Sequence, residues 1–438
     1  MLQKFRQHIH NEFDFLSKSK VLIAVSGGID SVVLAHLSTW MDFDFAICHC
    51  NFQLRGEESD GDEDFVKSLG KDLGVPVFTT HFETEQYAEE HKLSIQVAAR
   101  NLRYKWFYQL LEKHSYDYVL TAHNTNDNLE TFLINLSRGT GLEGLTGIPP
   151  INQKSVRPLL NFSRDDIMLF AIKNGIVWRE DRSNASIKYV RNKVRHKILP
   201  ILKEINPHLL ETFKDTLDHL NESQEMVQEK VDEISKKVLT VEDELLKLNT
   251  NKLKRLTNTK AYLYQVLHSY GFTEWNDVVN LIDAQPGKQV FSKTHRLLKD
   301  RGVLILTTLT KDLLNVKPVK IHDSTTQIAD PIQLEFQKTD LDSTSDQNSI
   351  LVDKDLLKYP LSVRKWGYGD YICPIGMTGS KKLSQLFKDK KLSLIDKEKI
   401  WLLTDAENNI IWVIGLRQDR RFAASETTEN RLKISYTP

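Results

Sequence analysis

An apolar run, Val21-Leu22-Ile23-Ala24-Val25, ends directly in Ser26-Gly27-Gly28-Ile29-Asp30-Ser31, and a helical apolar pattern through Val32, Val33, Leu37 and Trp40 follows. No other stretch restricts the fold as much. A short, wholly apolar run reads as a parallel strand buried on both faces, and the periodic segment after it as a helix. The two glycines between them let the backbone turn sharply and approach a ligand. Loop amides and a helix N-terminus then point their donors into one hollow, an arrangement suited to phosphate or pyrophosphate. Ser26 and Ser31 add hydroxyls, and Asp30 adds a carboxylate able to hold magnesium beside phosphates. A plain capped turn needs no adjacent pair of glycines set between serines and an aspartate. The loop matches neither G-x-x-x-x-G-K-[ST] nor G-x-G-x-x-G, so it is not a Walker loop or a dinucleotide fingerprint.

Further strand-like runs at 45–49, 75–80 and 118–122 alternate with helical segments at 57–73, 94–114 and 126–136. This alternation predicts an α/β fold, a doubly wound parallel sheet with helices on both faces. In such sheets the ligand crevice opens at the carboxyl ends of the strands that flank the topological switch. A second polar motif, Thr121-Ala122-His123-Asn124, stands at the end of the fourth strand. His123 and Asp127 are four apart, so on a first helical turn they share a face. Together with Asp30 they can bind magnesium, or they can handle protons near a reacting amine. Arg100 and Arg103, three apart on the preceding helix, can neutralise a triphosphate or a leaving pyrophosphate. Cys48-His49-Cys50 looks metal-like, but alternate strand residues point to opposite faces, so all three cannot chelate one ion. The two cysteines read as small core side chains.

At 438 residues the chain predicts two or three domains. It contains no stretch of 18 apolar residues and begins with a polar, amphipathic segment, so neither a membrane span nor a secretory signal is expected. Three cysteines cannot form a disulfide framework, which fits a cytoplasmic location. The formal net charge is zero, so any nucleic-acid surface must come from local clustering.

Such clusters exist. Residues 182–203 hold seven Lys or Arg, Arg191 and Arg195 among them, and no Asp or Glu. Residues 360–391 hold seven more, including Arg364, Lys381 and Lys382, against Asp370 and Asp389. Trp366, Tyr368, Tyr371 and Phe387 interleave with this second group, the pattern of an RNA-stacking and phosphate-tracking surface. Between the clusters, 208–238 reads as a connector helix, followed by helical segments at 253–270 and 275–283 and a strand-rich stretch at 288–309. A polar boundary loop covers 337–349, and 350–438 reads as a compact strand-containing domain. The expected organisation is a catalytic domain over 1–206, a helical connector and middle domain over 207–336, and a small α+β C-terminal domain over 350–438.

The loop at 26–31 resembles the S-G-G-x-D-S signature of the N-type ATP pyrophosphatases, the PP-loop family. More of the chain resembles one branch of it, the tRNA(Ile)-lysidine synthetases. The segments that carry this likeness are H-C-N-F-Q-L-R-G-E-E-S at 49–59, A-A-R-N-L-R-Y at 98–104 and T-A-H-N-T-N-D-N-L-E-T at 121–131. They continue with S-R-G-T-G-L-E-G-L at 137–145, D-R-S-N-A-S-I-K-Y-V-R-N-K-V-R at 181–195, R-K-W-G-Y-G-D at 364–370 and P-I-G-M-T-G-S-K-K-L-S-Q-L-F-K-D-K-K at 374–391. One departure lies at Cys50-Asn51 and Phe52-Gln53, where family members more often show a valine, asparagine and histidine.

The resemblance implies that the first and fourth strands are neighbours, so that both polar motifs face one pocket. It implies a reaction on ATP, L-lysine and an isoleucine tRNA with the anticodon CAU. The wobble cytidine O2 attacks the α-phosphate, pyrophosphate leaves, and the lysine amine then displaces AMP to give lysidine. Ser26, Gly27, Gly28, Ile29, Asp30 and Ser31 would bind ATP, and Asp30 with Asp127 would hold Mg2+. Asp30, Arg103, His123 and Asp127 would be catalytic. Arg191, Arg195, Arg364, Lys381 and Lys382 would contact tRNA, with no membrane partner; the sequence leaves a homodimer open. Two rivals stand beside this reading. Another PP-loop tRNA cytidine-modifying enzyme, a thiolase, would be expected to need C-x-x-C clusters, which are absent from the sequence. A non-catalytic tRNA-binding module would not need Asp30, His123 and Asp127 all in place.

Overall fold

The computed structural model describes residues 1–179, 190–242, 245–309, 318–339 and 348–437. The first part of the basic run, 180–189 with Arg182, and most of the boundary loop at 337–349 lie outside the described residues. The chain divides into two compact units, Met1–Gln228 and Glu229–Pro438.

The first unit opens with α1 (Leu2–Glu12), β1 (Lys20–Ala24), α2 (Ile29–Trp40), β2 (Asp44–Asn51), α3 (Glu57–Leu73) and β3 (Val77–His81). It continues through α4 (Thr84–Glu90), α5 (Ile95–His114), β4 (Tyr118–Leu120), α6 (Thr125–Arg138), α7 (Leu142–Leu145), β5 (Ile151–Asn152), β6 (Ser155–Val156) and α8 (Arg164–Lys173). Short α9 (Val190–Lys193) and α10 (Leu199–Ile205) precede the long connector α11 (Leu209–Val238). The sheet order is β3-β2-β1-β4-β6-β5. Every pair is parallel except the β5–β6 edge, which is antiparallel. The chain therefore runs outward from β1 to β2 and β3, then crosses back so that β4 lies on the other side of β1. The switch point is the gap between β1 and β4, where Val21 pairs with Tyr118 and Ile23 with Leu120.

Strand β1 is apolar throughout its middle because both of its faces are covered. Val21 and Ile23 join one core with Val33, Leu34 and Leu37 of α2 and with Ile167 and Phe170 of α8. Leu22 joins the opposite core with Ala46, Cys48, Phe107 and Leu111. This is the two-sided burial expected of a central parallel strand. The short strands β5 and β6 and the short helix α4 were not anticipated. Two- and seven-residue elements are too short to leave a clear period in the sequence.

In the second unit, β7 (Leu239–Glu242) and β8 (Leu245–Asn249) are followed by α12 (Thr250–Leu253), α13 (Thr259–Leu267) and α14 (Trp275–Asn280). Then come β9 (Gln289–Phe291), β10 (His295–Asp300) and β11 (Val303–Thr308). The helices pack Leu253, Leu263, Leu267 and Val278 against Leu297, Leu304 and Leu306 of a five-stranded antiparallel sheet. The last part holds β12 (Val319–Ile321), β13 (Gln327–Ile328), β14 (Gln333–Lys338), β15 (Ser349–Asp353), β16 (Leu361–Lys365), β17 (Tyr371–Ile372) and β18 (Lys381–Lys382). It ends with α15 (Leu383–Asp389), α16 (Leu394–Lys399), β19 (Trp401–Thr404), β20 (Ile410–Val413), β21 (Arg417–Gln418) and β22 (Arg431–Thr437). A five-stranded and a four-stranded sheet share one core here, with the basic β17–β18 hairpin outside both sheets.

Helix α2 carries the glycine loop, and its seat on the sheet sets the loop's position. Leu34 is fully buried beneath it. Replacing Leu34 by Ala is expected to cost about 2–5 kcal/mol, the usual range for a leucine removed from a close-packed core. A shift in the urea midpoint at unchanged slope is the measurement that checks it.

Candidate active site

The carboxyl ends of β1, β2 and β4 open into one cavity of about 880 Å³, lined on one side by Ser26 to Ser31 and on the other by Thr121, His123 and Asp127. The neighbour relation that the crevice argument required is therefore present. Gly27 has φ +90, a conformation that a side chain strains, whereas Gly28 is extended and caps α2. The serines first close the loop on itself. Ser31 Oγ donates to Gly28 O at 2.9 Å and accepts the Ser26 N–H at 3.1 Å, and Ser26 Oγ lies 3.3 Å from it. This holds the turn in the shape that presents the Ile29 and Asp30 amides, the first two of α2, toward the cavity, while those of Ser31 and Val32 donate to Gly28 O.

Asn124, between the two residues singled out in the second motif, ties the two loops together. Its Nδ2 donates to Asp30 Oδ1 at 3.1 Å, across 94 positions of sequence. Its Oδ1 and backbone N–H form a capping box with Asp127, both at 3.1 Å. Asp127 Oδ1 also accepts from Arg195 at 3.3 Å and lies 3.6 Å from Arg191. The same two arginines grip Glu130, which is fully buried, through Nε contacts of 2.8 Å and 2.6 Å. Arg191 and Arg195, read from sequence as tRNA contacts, thus pair with α6 and line the same cavity.

Burial holds the Asp30 carboxyl above its ordinary value, and the Asp127 charge pushes the same way against Arg164, Asn124 and Arg195. A carboxylate that is costly to leave charged is one that gains from a cation. Among the described residues no group of three or more His, Cys, Asp or Glu side chains converges. The fit is instead to a hard cation held by one carboxylate together with phosphate oxygens, as magnesium often is. Asp30 suits that role better than Asp127, whose oxygens already accept from Asn124 and Arg195. Burial, followed by the charges of Arg157, Arg191, Arg103 and Arg100, pushes His123 down to about 3. Its Nδ1 lies 3.1 Å from Thr121 Oγ1. It is a neutral imidazole at physiological pH and a poor resting proton acceptor.

Other residues of the cavity wall were not singled out in the sequence. Asp62, on α3, is held by Arg55 Nη2 at 2.9 Å and Arg179 Nε at 2.6 Å, and the Arg179 N–H donates to Gly27 O at 3.0 Å. Arg55, Asp62, Arg164 and Arg179 all line the cavity. Arg55 lies within the quoted 49–59 stretch and was legible in principle; Arg164 and Arg179 stand in no motif. Arg103 lines the cavity, while Arg100 lies over the Tyr104 ring at 5.0 Å. Cys48 is buried in the core as expected, with its thiol far above the usual range, and burial pushes Cys50 up to about 12.

The PP-loop domain family matches residues 1–202, the TilS substrate binding domain 241–309 and the TilS substrate C-terminal domain 361–434. The tRNA(Ile)-lysidine synthase of Parabacteroides distasonis is 38% identical over 444 residues, covering 100% of both chains. The chain belongs to the tRNA(Ile)-lysidine synthase family. The enzyme of that name from Bacteroides thetaiotaomicron is 36% identical, covering 98% of this chain and 97% of its own. A third, from Porphyromonas gingivalis, is 36% identical over 95% and 94%. The family's PP-loop match takes in the strands and helices that build the cavity, and its C-terminal match takes in the second basic cluster. There Arg364 forms a two-pronged pair with Asp370 at 2.8 Å for each prong, and Lys381 pairs with Asp389, whereas Lys382 is exposed. No helix among the described residues is long and apolar enough to cross a membrane.

The neutral His123 has a consequence for stability. The unfolded chain protonates it near 6.5 and the folded chain near 3. Between those values the unfolded state holds more protons, so this site's share of stability is present above 6.5 and is lost as pH falls toward 3. Imidazole resonances of His123 are expected to stay constant from about pH 8 to 5. A titration near its ordinary value would contradict the arginine-walled site.

Proposed function

We propose that this protein ligates L-lysine to C2 of the wobble cytidine in isoleucine tRNA with the anticodon CAU, using ATP and releasing AMP and pyrophosphate. The product is lysidine, which moves the codon specificity from AUG to AUA. The observation that carries the reading is the Asp30–Asn124 bond across the β1–β4 switch. It joins the glycine loop to a polar helix start at one cavity, inside a chain whose family likeness runs full length, which supports the reading.

The amides at the start of α2 and the glycine loop bind the triphosphate, and Arg103, Arg164, Arg55 and Arg179 line the same cavity to neutralise it. Asp30 would hold Mg2+ against the phosphates, and the ion when bound offsets charge developing at the leaving pyrophosphate. The cytidine must leave its stack to bring O2 to the α-phosphate, as base-modifying pockets require. The lysine ammonium then loses a proton before it attacks C2. Asp127 is our candidate acceptor, because Arg195 remains held by both oxygens of Glu130 when Asp127 is neutralised. His123, kept uncharged by burial and then by its arginines, hydrogen-bonds the substrate rather than taking this proton.

The thiolase alternative fares poorly on this chemistry. The thiols of Cys48 and Cys50 are held protonated, and a protonated thiol is a weak nucleophile in a sulfur relay. For tRNA, the exposed cations of the C-terminal hairpin and helix are Lys382, Lys388, Lys390 and Lys391, beside a fully exposed Tyr368.

Incubating the protein with ATP, labelled lysine and CAU-anticodon tRNA(Ile), then digesting the RNA, is expected to yield lysidine; its absence removes the reading. Asp30→Asn should abolish pyrophosphate release while tRNA affinity stays within about 3-fold, since the lost charge serves the phosphates only. Normal release by that variant would exclude the assigned role. Replacing Lys382 and Lys390 by Ala should flatten the salt dependence of tRNA binding by roughly one to two units of log–log slope. ATP affinity should stay unchanged, as a titration with tRNA omitted would show.

A further inference from the structure

In loop 52–55 Arg55 is held by Asp62, whereas Phe52, which also lines the cavity, has no step in the reaction above. We propose that Phe52 is a positioning residue for Arg103, its ring carrying the guanidinium at the cavity wall; this deepens the proposed reaction and rests on it. Arg103 lies over the Phe52 ring at 5.2 Å, and both residues line the cavity.

The other arginines with assigned partners here are held differently. Arg55 and Arg179 grip Asp62, and Arg191 and Arg195 grip Glu130. Arg103 forms no ion pair with a carboxylate among the described residues. A ring face attracts a cation without occupying its N–H groups or cancelling its charge. All five donors of Arg103 therefore stay available for phosphate oxygens.

The ring itself is anchored from several directions. Asn51 Oδ1 accepts the N–H of Gln53, which has φ +53, and Asn51 Nδ2 donates to Asp60 at 3.0 Å and Glu63 at 3.1 Å. Thr84 Oγ1 donates to Phe52 O at 3.0 Å. Phe52 stacks on Phe82 at 5.6 Å, and Phe82 meets the face of Trp106 or its edge at 6.5 Å and 86°. Trp106 stands three positions after Arg103 on α5, so the ring contacts return to the helix that bears the guanidinium. Phe52 thus fixes the end of a long side chain whose root the same rings already hold.

The test is a double-mutant cycle in the full chain, read as pyrophosphate release with tRNA, ATP and lysine saturating. Phe52→Leu should lower kcat ~3- to 5-fold, the span of a cation–π contact made by an exposed guanidinium. Phe52→Trp, which keeps a ring face, should stay within ~2-fold of wild type. In an Arg103→Gln background, Phe52→Leu should change the rate by less than ~2-fold. Equal losses in both backgrounds, or a Trp variant as slow as the Leu variant, would overturn the proposal. Stepwise fluorination of the Phe52 ring drains its negative face while keeping its shape, so it should slow release with each fluorine; a flat series also overturns it. If the wild-type chain makes no lysidine, the reaction is wrong. The same cycle read as the dissociation constant of α,β-methylene-ATP then still decides whether Phe52 and Arg103 are coupled.

Discussion

The pairing of β1 with both β2 and β4 is the constraint on which the site depends. Parallel strands on either side of one strand send their following loops to the same edge of the sheet. The glycine loop and the Thr121–Asn124 turn meet there because Ile23 pairs with Leu120. The helices that follow, α2 and α6, then bring two N-termini to one cavity, and fixed dipoles of one sign accumulate there. The bond between Asn124 and Asp30 closes the gap between them. A register slip in β4 would turn its side chains to the other face of the sheet and separate the loops.

Concentrating positive charge has a cost that this structure meets locally. Six arginines line the cavity in a chain with 59 basic and 59 acidic residues. Asp62 and Glu130 each hold two of them, so four of the six share two carboxylates and the wall keeps a positive excess. Like charges in a low-dielectric cleft repel strongly, and such pairing allows several guanidiniums to stand within reach of one ligand. The arrangement also explains the titration of the groups left over. Asp30 has an amide rather than a cation as its hydrogen-bond partner, so burial dominates and raises it. His123 is buried and faces the arginines without a carboxylate of its own, so it is lowered.

Much of this was legible in the sequence, for reasons that differ by residue. The apolar run at β1 and the glycine pair announce a strand, a turn and a helix because each obeys a local rule. Asp30, His123, Asp127 and Arg103 were legible because they stand in short motifs beside predicted strand ends. Asp62 and Glu130 were not, since a carboxylate on a charged helix looks like a solvated one until its partners arrive from 117 and 61 or 65 positions away. Arg191 and Arg195 show the converse. A one-sided basic run reads as a surface for polyanions, and these two side chains also pair with the buried Glu130 on α6. Charge counts along the chain cannot separate the two cases; only the partner's position can.

The same distinction divides the C-terminal cluster into scaffold and surface. Arg364 and Asp370 form a bidentate pair, and Asp370 also accepts the Gly367 N–H at 2.7 Å, so the pair shapes the loop that exposes Tyr368. Lys365 lies over the Trp401 ring and donates to Glu398 O at 2.7 Å, and burial lowers it to about 8. Glu398 in turn pairs with Arg296 of the middle sheet, where Leu298 and Ile305 meet Ile395. The first three residues of the R-K-W motif thus build and brace a platform, Trp366 doing so through a 2.9 Å bond to Lys397 O. The lysines left exposed stand on a hairpin and helix held by that brace. A rigid display of this kind lowers the ordering cost that a polyanion contact at these lysines would carry.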